Sequence, residues 1–194
     1  ITFDRLMIMG AIHDLDMKWV IENEIDSYVF NWSRLRAGTE IAKSQGRRFR
    51  VHIEIETGMN RTGFDEIDWQ GVIDFIKQNR KYIQLEGVCT HLAGAEEISN
   101  YLRIQKQLTQ FEKVKALFAK NELRYVHDHV ACSAGIINYP DTIGTLVRIG
   151  ILQYGFWPSN EAKMAFLARG KSMEDPLRRV ISWKSSVMSI KTVE

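Results

Sequence analysis

Apolar runs of strand length alternate along this chain with longer stretches of helical period. That rhythm constrains the fold more than any other feature, because it is the signature of βα units wound around a parallel sheet. It predicts strands near residues 6–9, 28–30, 49–56, 83–91, 125–132 and 145–149, and helices near 14–23, 33–44, 67–79 and 100–120. The last helix carries Leu108, Phe111, Val114, Leu117 and Phe118 as a stripe wide enough to pack on a sheet. Such a series suits a doubly wound sheet or a (β/α)8 barrel with part missing. No G-x-G-x-x-G turn follows an early strand, so the class expected is α/β, an incomplete (β/α)8 TIM-type barrel. After Pro158 the rhythm stops. Residues 1–160 are therefore assigned to the partial barrel, 161–179 to a polar linker, and 180–194, rich in β-branched residues and serine, to the first strand of a C-terminal β domain. The chain opens on Ile1 directly into strand-like sequence, which reads as the interior of a longer protein.

The 194 residues are 45% hydrophobic and 26% charged, which suits a globular domain with a real core. The formal charge of +2 is small and mixed along the chain, so neither nucleic acid nor a membrane surface is indicated as a partner. Arg47-Arg48-Phe49-Arg50 reads as a solvated strand entry. Cys89 and Cys132 lie in apolar runs and suggest reduced thiols in a cytoplasmic protein rather than a disulfide framework. No apolar run approaches the ~20 residues of a membrane span, and no signal peptide opens the chain.

Several residues point to chemistry. Arg148 lies inside the run Val147–Tyr154, where an arginine is costly unless buried acceptors take its fork of donors. The strand Val51-His52-Ile53-Glu54-Ile55-Glu56 alternates cleanly, and its acidic face calls for a cation, for which Arg61 beyond the Thr57-Gly58-Met59-Asn60 turn is the natural choice. His91 ends an apolar strand, and active sites of barrels sit at that end. Ser133-Ala134-Gly135 and Gly150-Ile151 each follow a strand and offer a hydroxyl and backbone N–H groups suited to a phosphate. His127 and His129 share a strand face and read alternatively as a metal pair, although no third ligand is well spaced and the expected metal count is none.

Three segments together resemble the alanine racemases: Glu56-Thr57-Gly58-Met59-Asn60-Arg61-Thr62-Gly63-Phe64, Glu86-Gly87-Val88-Cys89-Thr90-His91 and Val147-Arg148-Ile149-Gly150-Ile151-Leu152-Gln153-Tyr154-Gly155. The resemblance implies pyridoxal 5'-phosphate as cofactor, alanine as small-molecule substrate, D-alanine supply for peptidoglycan, a cytoplasmic location and a homodimer. It also implies that Arg148 hydrogen-bonds the pyridine nitrogen, that His91 links to Arg148, and that Arg61 approaches the phenolic oxygen and the substrate carboxylate. Ser133 with the backbone of Gly150 and Ile151 would hold the phosphate.

Departures from the family pattern bear on these roles. Glu54 stands where many members carry a carbamylated lysine, and Cys132 where asparagine is common. The family's Schiff-base lysine and its tyrosine base have no counterpart in this sequence, so the chain alone is expected not to racemise alanine. Alternatives are a racemase of other or broader amino-acid specificity, a non-catalytic barrel that binds the cofactor, and a metal-dependent barrel hydrolase.

Overall fold

A computed structural model describes residues 4–170 and 174–193. Its sheet contains β1 (Met7–Ile8), β2 (Asp26–Val29), β3 (Phe49–Glu54), β4 (Ile83–Cys89) and β5 (His127–His129), all parallel and adjacent in sequence order. Each new strand adds beside the last and the order never reverses, so there is no switch point of the doubly wound kind. With the usual twist such a sheet curls toward a barrel, and the five strands form part of one, as expected. The connecting helices are α1 (Asp14–Glu22), α2 (Trp32–Gln45), α3 (Trp69–Gln78) and α4 (Tyr101–Lys120). Two more, α5 (Ser133–Asn138) and α6 (Asn160–Arg169), follow β5.

Local chemistry sets the helix ends. The Asn31 side chain accepts from Arg34 N–H at 2.9 Å to start α2, and Gly46 ends it in the left-handed region at φ 64°. Asp14 and Asp16 in the first turn of α1 complement the helix dipole. Gly38 of α2 faces the Phe49 ring so closely that a Cβ there would lie 2.3 Å from it, and this contact seats the helix on β3.

Strand alternation sorts β3 onto two faces, and both are buried. Val51, Ile53 and Ile55 join the core cluster that includes Val72, Ile73 and Val114 from the helices, while His52 and Glu54 are also buried. Arg50 belongs to this polar set. Its side chain pairs with Asp26 at 2.6 Å and Glu86 at 3.0 Å, which corrects the reading of the whole arginine cluster as solvated. Arg5 joins the same carboxylates at 2.8 and 3.0 Å. The β3–β4 register shifts between Val51 and His52, so that Val51 pairs with Leu85 but His52 with Gly87. The extra residue, Glu86, is thereby placed on the arginines.

Two expectations change. Residues 145–149 form no strand; Arg148 makes one bridge to Cys132, and its N–H donates to Ala131 O at 3.0 Å. The neighbouring β5 is only three residues long, too short to template a full ladder. Residues 161–169, read as part of a linker, belong to α6, which is started by Ser159 accepting from Ala162 N–H at 3.0 Å. Residues 174–193 carry no helix or strand. Among the described residues no helix is long and apolar enough to cross a membrane.

Candidate active site

The C-terminal ends of the strands open into a cavity of about 710 Å³. Arg61, His91, Ser133, Arg148, Gly150 and Ile151 all line it, together with Tyr28, Glu54 and Cys132. Residues spread from Tyr28 to Ile151 thus meet at the barrel mouth, and the cavity is within the size range of ligand pockets.

Arg148 is turned inward. One terminal nitrogen donates to His129 Nδ1 at 2.6 Å and to His129 O at 2.8 Å; the other donates to Thr90 O at 2.6 Å and Val130 O at 3.1 Å. These four contacts use all the terminal N–H hydrogens, so Nε–H is the donor left without a partner among the described residues. His91, expected to link to Arg148, makes no ring hydrogen bond there, and His129 takes that place. Burial, reinforced by the charges of Arg148 and Arg61, lowers the His91 pKa to about 4 and leaves its imidazole neutral near pH 7. Burial and the Arg148 charge likewise hold His129 down at about 2. Both of its ring nitrogens are engaged, by Arg148 and by His52, so it has no free lone pair for a metal.

Arg61 is held by its loop. The Glu56 carboxylate accepts from the N–H of Gly58 and, at 3.3 Å, from that of Arg61. The loop closes where Glu56 N–H donates to Phe64 O at 3.0 Å and Phe64 N–H to Glu54 O at 2.9 Å. Gly63 permits that closure, since φ is +119° and a Cβ would meet Glu56 N at 2.5 Å. Among the described residues the Arg61 guanidinium makes no ion pair, so neither Glu54 nor Glu56 grips it as the alternation suggested. Burial raises the Glu54 pKa above the ordinary carboxylate range, against the opposing pull of Thr62, Arg61 and Arg148.

Gln107 of α4 was not legible as a site residue. Fully buried, it donates to His91 O at 2.9 Å and Thr57 Oγ1 at 3.2 Å and accepts from Ala93 N–H at 2.8 Å. It braces the Arg61 loop against the His91 loop. The polar member of an otherwise apolar helix stripe was the available signal.

At the other end of the cavity, Gly150 N–H donates to Ser133 Oγ at 2.9 Å, and Ile151 begins a short 3-10 turn. The Ser133 hydroxyl hydrogen has no acceptor among the described residues and is free to serve an anion.

Residues 3–158 match the family model described as alanine racemase, N-terminal domain. The chain belongs to the alanine racemase family. It is 30% identical over 196 residues to the alanine racemase of Helicobacter pylori strain J99, covering 97% of this chain and 49% of that protein. The chain thus spans about half the length of the curated relatives it matches. Among solved structures, alanine racemase from Clostridium difficile 630 is similar with a TM-score of 0.75 at 33% identity, covering 83% of this chain and 42% of the other. The Bartonella henselae alanine racemase, described as having covalently bound pyridoxal phosphate, aligns with a TM-score of 0.67 at 25% identity, covering 79% of this chain and 41% of the other.

Proposed function

We propose that this chain supplies the barrel site of a pyridoxal 5'-phosphate-dependent racemase that interconverts L- and D-alanine, serving peptidoglycan synthesis in the cytoplasm as a homodimer. Family membership supports the class, and one observation carries the assignment of roles. The inward guanidinium of Arg148, with Nε–H to spare, shares a cavity with the unspent Ser133 hydroxyl.

The residues fit the cofactor. Arg148 would donate Nε–H to the pyridine nitrogen. Its guanidinium holds its protons too tightly to hand one over, so the ring nitrogen would stay unprotonated. Ser133 Oγ, with the backbone of Gly150 and Ile151, would hold the phosphate. Bound there, pyridoxal phosphate would supply the electron sink that makes the amino-acid α-proton removable. Arg61, unpaired and exposed at the mouth, would attract the substrate carboxylate. His91, neutral and near both guanidiniums, would order the mouth without adding charge. In this reading residues 180–194 open a C-terminal β domain.

The test is a titration of the full-length protein that contains this chain with pyridoxal phosphate, followed by chiral chromatography of alanine. The expected result is cofactor absorbance and conversion of either enantiomer, with affinity falling roughly tenfold or more in Ser133→Ala. Absence of both binding and turnover overturns the proposal. Faster turnover of serine or lysine than of alanine would instead favour a broader racemase.

A further inference from the structure

Below the cavity, a line of buried polar side chains runs from Arg148 to the carboxylate cluster at the opposite end of the sheet. His129 Nδ1 lies 2.6 Å from Arg148, His129 Nε2 lies 2.9 Å from His52 Nδ1, and His52 Nε2 lies 3.7 Å from Asp26 Oδ2. Histidines 52 and 129 are almost wholly buried.

Donor and acceptor counting gives this line a direction. Arginine has only donors, so His129 Nδ1 must accept. A neutral His129 then carries its hydrogen on Nε2, which donates to His52. His52 Nδ1 must therefore be bare, because a hydrogen on it would collide with the His129 hydrogen across 2.9 Å. The His52 hydrogen is left on Nε2, which has no hydrogen-bond partner but faces the Asp26 carboxylate. Asp26 is itself fixed by Arg5 and Arg50. Gly87 makes room for this arrangement, since a Cβ there would lie 2.4 Å from His52 Nδ1.

We infer that His52 and Asp26 are positioning residues: the Asp26 carboxylate draws the His52 hydrogen to Nε2, and the bare His52 Nδ1 locks His129 in the Nε2–H form by a one-way hydrogen bond, a relay that presents a fixed acceptor to Arg148. The ring states are independent of any cofactor, whereas the effect on cofactor binding rests on the proposed function.

The primary experiment is long-range 1H–15N correlation of the histidine rings in the intact, unsubstituted protein near neutral pH. Both His52 and His129 are expected neutral, with hydrogen on Nε2. A hydrogen on Nδ1 of either ring, or an imidazolium, overturns the relay. The second arm titrates pyridoxal phosphate into His52→Asn, whose carboxamide oxygen can stand in as acceptor, and His52→Leu, which has none. Roughly tenfold weaker binding is expected for the leucine variant and near wild-type binding for asparagine. No loss in the leucine variant, or equal loss in both, overturns the positioning role. If the unsubstituted protein fails to take up the cofactor, the proposed function fails while the ring spectra still decide the relay.

Discussion

Replacing Arg148 with lysine keeps the charge and removes the geometry. The arginine makes four hydrogen bonds from two terminal nitrogens, to acceptors on β5, on the segment after it and on the end of β4. An ammonium has three donors radiating from one point, so it cannot span all four acceptors and has nothing equivalent to the outward Nε–H. Two hydrogen bonds from a charged donor would be lost, at roughly 1.5–3 kcal/mol each. The side chain is partly buried at the cavity, and water can reach some of the vacated space, so the net cost is about 2–4 kcal/mol. With a urea slope of ~2 kcal/mol/M, the unfolding midpoint should fall by about 1–2 M. Equilibrium urea unfolding followed by fluorescence measures this directly. A midpoint within about 0.3 M of the unsubstituted protein would refute the argument that bond geometry, and not charge, holds this residue.

Asp26→Asn should destabilise the protein by roughly 3 kcal/mol, because it removes one anion from a buried cluster and leaves Arg50 and Arg5 short of charge. Burial alone would push the Asp26 pKa up, but the facing His52 ring and the hydrogen bonds from Arg50 and Arg5 overcome it and hold the carboxyl well below its ordinary range. The stabilisation is therefore complete above the unfolded value of ~3.9 and is lost as pH falls below it, so the difference between the two proteins should narrow from about pH 5 downward. Urea midpoints at a series of pH values check this, and a gap that widens on acidification contradicts it. Gln107→Leu should cost roughly 2–4 kcal/mol by leaving His91 O and Ala93 N–H without their buried partner. Its effect should be seen as lowered urea stability together with faster amide exchange at Ala93.

The βα rhythm was legible because period-2 and period-3.6 patterns are set by local geometry, and β3 shows it best: the alternation of residues 51–56 correctly separated the helix-facing side from the polar side. That same alternation places Arg50 inside, two residues before His52, yet the run of basic residues around it read as surface. Composition masked periodicity. The six residues singled out for the site do share one cavity. His129 as the acceptor for Arg148 was not visible, because its role depends on which strands become neighbours, and a pair of histidines on one strand face suggests metal when read alone. Helix α6 was missed although Ser159 and Gly170 bracket it, since the short apolar content of residues 160–169 gives only a weak amphipathic signal.

Three of the four acceptors that hold the Arg148 guanidinium are main-chain carbonyls, those of Thr90, His129 and Val130. A carbonyl cannot be mutated away. The grip on the arginine is therefore carried by the backbone path itself, and a change that bends the chain at these strand ends would release it.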